Sequence, residues 1–116
     1  MSYEVRLIYD YEVVEVPTHS VGGTIVYNGT QKAELNITFN YTFFFHEHLG
    51  KDGIFWLYGK KAEDTIERLE NVVSALNDFI PAENYWEPTA GNVGKTLSIL
   101  LEWAKLYPYA SWQVLS

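Results

Sequence analysis

An alternating pattern occupies the first part of the chain. In Tyr3-Glu-Val-Arg-Leu-Ile-Tyr9 the side chains of Tyr3, Val5 and Leu7 fall on one side of an extended backbone and those of Glu4 and Arg6 on the other, the two-residue period of a half-buried strand. Asp10-Tyr11 is placed to turn the chain. Residues 12–16 (Glu-Val-Val-Glu-Val) read as a second strand, which Pro17 ends because it has no N–H to give to a ladder. Residues 18–23 read as loop and residues 24–28 as a third strand, closed by Asn28-Gly29, a pair suited to a tight hairpin turn. Residues 33–39 form a fourth strand, in which Leu35, Ile37 and Phe39 oppose Glu34, Asn36 and Thr38.

The period then lengthens to between three and four. Asn40 is a candidate N-cap for a short helix over 41–49 that Gly50 ends. Residues 52–60 suit a loop or a short strand equally. The clearest helix spans 62–79, where Ile66, Leu69, Val72, Val73, Leu76 and Phe79 or Ile80 recur on one stripe and Glu63, Glu67, Arg68 and Glu70 lie mostly outside it; Pro81 stops it. After a loop over 82–91, a last long helix over 92–107 places Val93, Leu97, Leu100, Leu101 and Ala104 on one side and ends before Pro108. Ser111-Trp-Gln-Val-Leu115 reads as a final strand. Strands first and helices afterwards predict an α+β fold over residues 1–116 as a single domain, with an antiparallel sheet of four to five strands and two or three helices packed on one face.

Composition narrows the function. Hydrophobic residues make up 47% of 116 residues, enough for a real core. The longest apolar runs, such as Phe43-Phe44-Phe45, are too short to span a bilayer, and Met-Ser-Tyr-Glu-Val-Arg does not have the pattern of a signal peptide, so no membrane partner is expected. The chain has no cysteine, which excludes disulfides, thiolate metal sites and cysteine nucleophiles and suits a cytoplasmic protein. Eight Lys and Arg against fifteen Asp and Glu give a net charge of −7, which argues against a DNA or RNA binder. Lys60-Lys61 and Lys95 therefore stand out: both fall at or near predicted helix starts, where the dipole disfavours a cation unless an anion is there to meet it. Aromatic residues reach 16%, more than a small core requires, leaving some for a ligand pocket or a subunit interface.

One segment concentrates chemistry. Thr89-Ala-Gly-Asn-Val-Gly-Lys-Thr96 opens the last helix, and a helix start offers unpaired N–H groups to phosphate or carboxylate. It is a near miss to a P-loop: Gly94, Lys95 and Thr96 fit, but threonine stands at 89 where the first glycine belongs, and an aromatic loop precedes it in place of a buried strand. An anion site without hydrolysis is the functional reading; a capped helix with no ligand accounts for the same residues. Tyr85-Trp86 just upstream adds rings that would stack on a base, or plug the core. Asn36, Thr38 and Asn40 would make a row of amide and hydroxyl groups suited to sugar and base edges, or a solvated face. His46 and His48 lie two apart, which on a helix turns them to different sides, and no metal site is expected. Asn28, Asn36 and Asn40 each open a glycosylation triplet, but without a signal peptide no glycan is expected. No nucleophile–base–acid set appears, so no catalytic residue is assigned.

The same residues carry a resemblance. Glu34-Leu-Asn-Ile-Thr-Phe-Asn-Tyr41, Gly53-Ile54, Leu57-Tyr-Gly-Lys60, Tyr85-Trp86-x-x-Thr89-x-Gly91-Asn92 and Leu100-Leu-x-x-Ala104-x-x-x-Pro108 together resemble a small family found in phages, prophages and bacteria. Its motifs run L-N-I-T-x-N-Y, L-Y-G, Y-W-x-x-T-x-G-N and L-L-x-x-A-x-x-x-P-D. The likeness covers residue 22 to the C-terminus, and the chain departs from it at Tyr109, where acidic residues are common. The resemblance implies a phage context, and so the cytoplasm of a host cell. Joined to the residues above, it leads to the expectation of a homo-oligomeric anti-defence protein that sequesters a small nucleotide-like, phosphorylated immune signal without catalysis and without a cofactor. In that reading Asn36, Thr38 and Asn40 contact sugar or base, Tyr85 or Trp86 stacks, and Thr89, Asn92, Gly94 and Lys95 hold phosphate, with Lys60 as a second cation. The alternatives are an acidic protein–protein inhibitor of a host defence protein and a small enzyme that degrades the same ligand.

Overall fold

The computed structural model describes residues 2–18, 29–76, 84 and 86–116. The predicted strand over 24–28, the tail of the predicted helix at 77–79, His19 and Tyr85 lie outside them.

The fold is α+β, built on an antiparallel sheet. Its central strand is β1 (Ser2–Tyr9), followed by β2 (Glu12–Val13), β3 (Glu15–Pro17), β4 (Thr30–Lys32) and β5 (Glu34–Thr38). Among the described residues three α-helices follow, α1 (Thr42–Leu49), α2 (Ile66–Leu76) and α3 (Ala90–Leu106), and then β6 (Ser111–Leu115). One edge of β1 pairs with β6 along residues 4–8; the other pairs with β5 along residues 2–6 and with β2 at Ile8 and Tyr9. The handover falls at Leu7, whose N–H donates to the Ala33 carbonyl and whose carbonyl accepts from Val14, while the Ala33 N–H donates to Val14. Val14 and Ala33 are thus the breaks between β2 and β3 and between β4 and β5. The predicted second strand is divided there, and Pro17 closes β3 from within, paired with Thr30 in the small β3–β4 ribbon.

The alternation of the sequence sorts the sheet into two faces. Val5 stands opposite Leu35 and Val114, and Leu7 opposite Trp112; all are buried. Arg6 stands opposite Glu34 and Gln113 on the other face, where its guanidinium pairs with Glu4 at 2.9 Å and Glu34 at 3.7 Å. The helices cover the apolar face. In α2, Leu69, Val72 and Leu76 are buried as their spacing predicts, and α3 buries Val93, Leu97, Leu100, Trp103 and Ala104. At Gly94 α3 lies tight against the end of α2: a Cβ built there would lie 2.9 Å from that of Leu76.

Three predicted details are corrected. Asn40 does not cap a helix; Thr38 does, its hydroxyl accepting the Asn40 N–H at 3.1 Å to start a 3₁₀ turn over Phe39–Tyr41 that runs into α1. The undecided stretch at 52–60 holds a 3₁₀ helix, Gly53–Leu57, that buries Ile54 and Leu57. The helix predicted from 62 begins with a further 3₁₀ turn, Ala62–Thr65, before α2 proper. There Thr65, fully buried, donates to the Ala62 carbonyl and accepts the Trp112 indole N–H at 3.0 Å.

Candidate functional site

At the start of α3 the predicted residues meet, and each takes a structural partner. Thr89 is the N-cap, and its hydroxyl accepts the Asn92 N–H at 3.1 Å. The Asn92 side chain, 4% exposed, donates to the carbonyls of Asn84 and Glu87, both at 2.9 Å. The Asn84 carboxamide accepts the Trp86 N–H, and Asn40 donates to the Trp86 carbonyl, each at 3.0 Å. Asn40, Trp86, Thr89 and Asn92 therefore form one hydrogen-bonded assembly joining the end of β5 to the loop before α3. The Trp86 indole remains half exposed. Tyr85 lies outside the described residues.

The P-loop likeness ends in this geometry. The α3 helix already begins at Ala90, so Gly94 and Lys95 fall more than a turn inside it. Gly94 is buried against Leu76, and its missing side chain admits the neighbouring helix. Thr96 is fully buried, and its hydroxyl has no partner among the described residues. Lys95 is exposed.

The remaining predicted residues stand apart from this assembly. Asn36 lies exposed on β5 opposite Glu4. The expected row of Asn36, Thr38 and Asn40 does not form, because β5 ends at Thr38, which is 4% exposed and spends its hydroxyl on the cap. Lys60 lies beside Trp56, 4.9 Å from the ring centroid, with Nζ donating to the Trp56 carbonyl at 2.5 Å. The His48 ring stacks on Phe44, and the His46 ring sits against Gly53. Among the described residues no group of three His, Asp or Glu side chains is placed to hold a metal.

A surface that the sequence reading did not single out lies where the β1–β2 turn approaches the end of α3. An open cleft of about 420 Å³ runs between Tyr9, Asp10, Glu12, Glu15, Lys32 and Tyr107. A second, of about 280 Å³, lies between Tyr9, Leu106, Tyr107 and Tyr109. Tyr9 and Tyr107 line both. The Tyr107 hydroxyl donates to the Glu15 carbonyl at 2.5 Å, tying the end of α3 to β3. Around this join stand exposed apolar side chains, Tyr9, Leu106 and Tyr109, at 58%, 49% and 71% exposure, and Tyr11 in the adjoining β1–β2 turn is fully exposed. Asp10 and Tyr11 both have positive φ, 53° and 65°. That is the requirement of a two-residue type I′ hairpin turn, which Asn-Gly satisfies at little cost and a tyrosine does not. The one available signal was Asp10-Tyr11 standing where a turn was needed.

Compared with family models, with curated proteins and with solved structures, the chain matches none.

Proposed function

We propose that this protein works by binding, and that its principal surface is the aromatic and acidic face around Tyr9, Tyr11, Leu106 and Tyr109. The observation that carries the reading is the strained turn. A Tyr in the left-handed region costs about 1 kcal/mol or more, and here that conformation holds a bulky ring fully in solvent, where it contributes nothing to the core. Asp10, Glu12 and Glu15 outnumber Lys32 in the cleft beside Tyr9 and Tyr107, so the complementary partner is a basic protein surface, with arginine suited both to stack on tyrosine and to pair with carboxylate. In the phage context that the resemblance implies, the partner is a host defence protein and this chain is its acidic inhibitor. Affinity capture from host extract with the wild-type protein and with Tyr11→Ser/Tyr109→Ser tests the idea. A partner held by the first, released by salt, lost by the second and rebound when purified supports it; capture that both proteins share equally sinks it.

A second reading is favoured by the assembly at the start of α3, which sets Trp86, half exposed, in the loop that enters the helix: sequestration of a small nucleotide-like, phosphorylated immune signal. A thermal-shift panel of linear and cyclic nucleotides would then raise the melting temperature, and Lys95→Ala or Trp86→Ala would cancel the rise. A ligand at a hundredfold excess over its dissociation constant adds about 2.7 kcal/mol, a shift of several degrees. Recovery of intact ligand on denaturation supports sequestration, and recovery of altered ligand means turnover.

A further inference from the structure

A different set of residues carries a site of its own. Trp56, half-buried in the 3₁₀ turn Gly53–Leu57, has two cations at its ring: Lys60 Nζ at 4.9 Å and Arg68 Cζ at 5.1 Å from the centroid. One cation over an indole is an ordinary surface contact. Two at one ring are less common, in a chain that has nearly twice as many carboxylates as cations to offer them. Of the other cations, Arg6 pairs with Glu4 and Glu34 and Lys105 with Glu70, while Lys32, Lys51, Lys61 and Lys95 stand exposed at the surface with no ring beneath them among the described residues. Among the described residues neither Lys60 nor Arg68 enters an ion pair. Glu63, Asp64 and Glu67 lie exposed on the turns between them, where they complement the positive end of α2, but none forms an ion pair with either.

We propose that Lys60 and Arg68, held by Trp56, form a binding site for the phosphate group of a small molecule. The Lys60 ammonium is fixed by its bond to the Trp56 carbonyl and keeps two further N–H donors. Arg68 is exposed and brings the planar fork that meets two phosphate oxygens at once. Two positive charges at one ring match a dianionic phosphate better than a monoanionic carboxylate.

Trp56 supplies its own reporter. Inorganic pyrophosphate is titrated into the protein at constant ionic strength, with heat of binding and tryptophan emission followed together. The expected result is a saturable response in both, weakened about tenfold or more by Arg68→Ala, the loss of a charge-assisted contact, and abolished in Lys60→Ala/Arg68→Ala. Trp56→Phe should remove most of the emission change and keep measurable heat. Arg68 is exposed on α2, so Arg68→Ala leaves the fold intact and decides the matter even where the double variant melts early. A response that does not saturate, or one that Arg68→Ala leaves unchanged, overturns the proposal. Neither outcome touches the partner-binding face, whose variants lie on other residues.

Discussion

Asn92 does for the loop before α3 what a bound ligand would otherwise be asked to do. Its side-chain amide donates to two loop carbonyls and its backbone N–H donates to the Thr89 hydroxyl, so one buried residue ties the helix start to the path into it. Removing it leaves those carbonyls without their donor, and Asn92→Ala is expected to cost about 1–3 kcal/mol. Thr89→Ala, which removes only the cap, should cost about 1 kcal/mol. Thr96→Val should go the other way or change nothing, since it replaces a buried hydroxyl without a described partner by a methyl of the same shape. Thermal melts of the three variants check this order; a Thr96→Val protein that melts well below wild type would show that the hydroxyl is satisfied. The polar residues here were visible in the sequence as a group, but their partners were not. Whether an asparagine beside a helix start faces a phosphate or its own loop depends on the path of Asn84–Thr89, and no periodicity encodes that path.

At the scale of elements, legibility followed burial. The stripe Leu69, Val72, Leu76 and the alternation Val5, Leu7 could be read because each element has one apolar face and its period is local. The segment 53–57 could not, because Ile54 and Leu57 are three apart in a run too short to distinguish a 3₁₀ turn from a strand. Gly94 was legible only as a motif letter, since its reason lies on another helix. That reason makes a prediction opposite to propensity. Gly→Ala inside a helix ordinarily stabilises by about 0.8–1 kcal/mol. Here the new Cβ would meet Leu76 at 2.9 Å, so Gly94→Ala should destabilise by about 1–3 kcal/mol instead. Thermal melts check it, and because Leu76→Ala keeps both the Cβ and the carbonyl that the new methyl would meet, that substitution should not rescue Gly94→Ala. The β1–β2 turn predicts the reverse. Asp10→Asn/Tyr11→Gly installs residues that accept positive φ, and should raise the melting temperature by a few degrees while weakening capture of the partner. A turn variant that gains stability and keeps full binding would leave the strain without the purpose assigned to it.

The whole molecule shows why the aromatic face escaped sequence reading. Tyr9 and Tyr109 are a hundred residues apart, and what brings them together is the pairing of β6 with β1 and the tie from Tyr107 to Glu15. No local pattern marks such a site; only the surplus of aromatic residues over what a small core needs did so, without saying where. Net charge, by contrast, was legible from the start, and it acts at this same scale. A chain of charge −7 presenting carboxylates around its rings should attract a basic partner from beyond contact distance, so charge should govern how fast the complex forms and the rings how long it lasts. Once a partner is purified, Asp10→Lys/Glu12→Lys should slow association several-fold and flatten its dependence on salt, with dissociation little changed. Tyr11→Ser/Tyr109→Ser should leave association near wild type and speed dissociation by about tenfold or more. Both pairs are exposed, so neither should unfold the protein, although Asp10→Lys puts a residue less tolerant of positive φ into the turn and should lower the melting temperature slightly. Surface-plasmon traces over a salt series would separate the two effects. If the charge variants changed dissociation alone, the carboxylates would be buried contacts of the interface, and long-range attraction by the acidic chain would have to be abandoned.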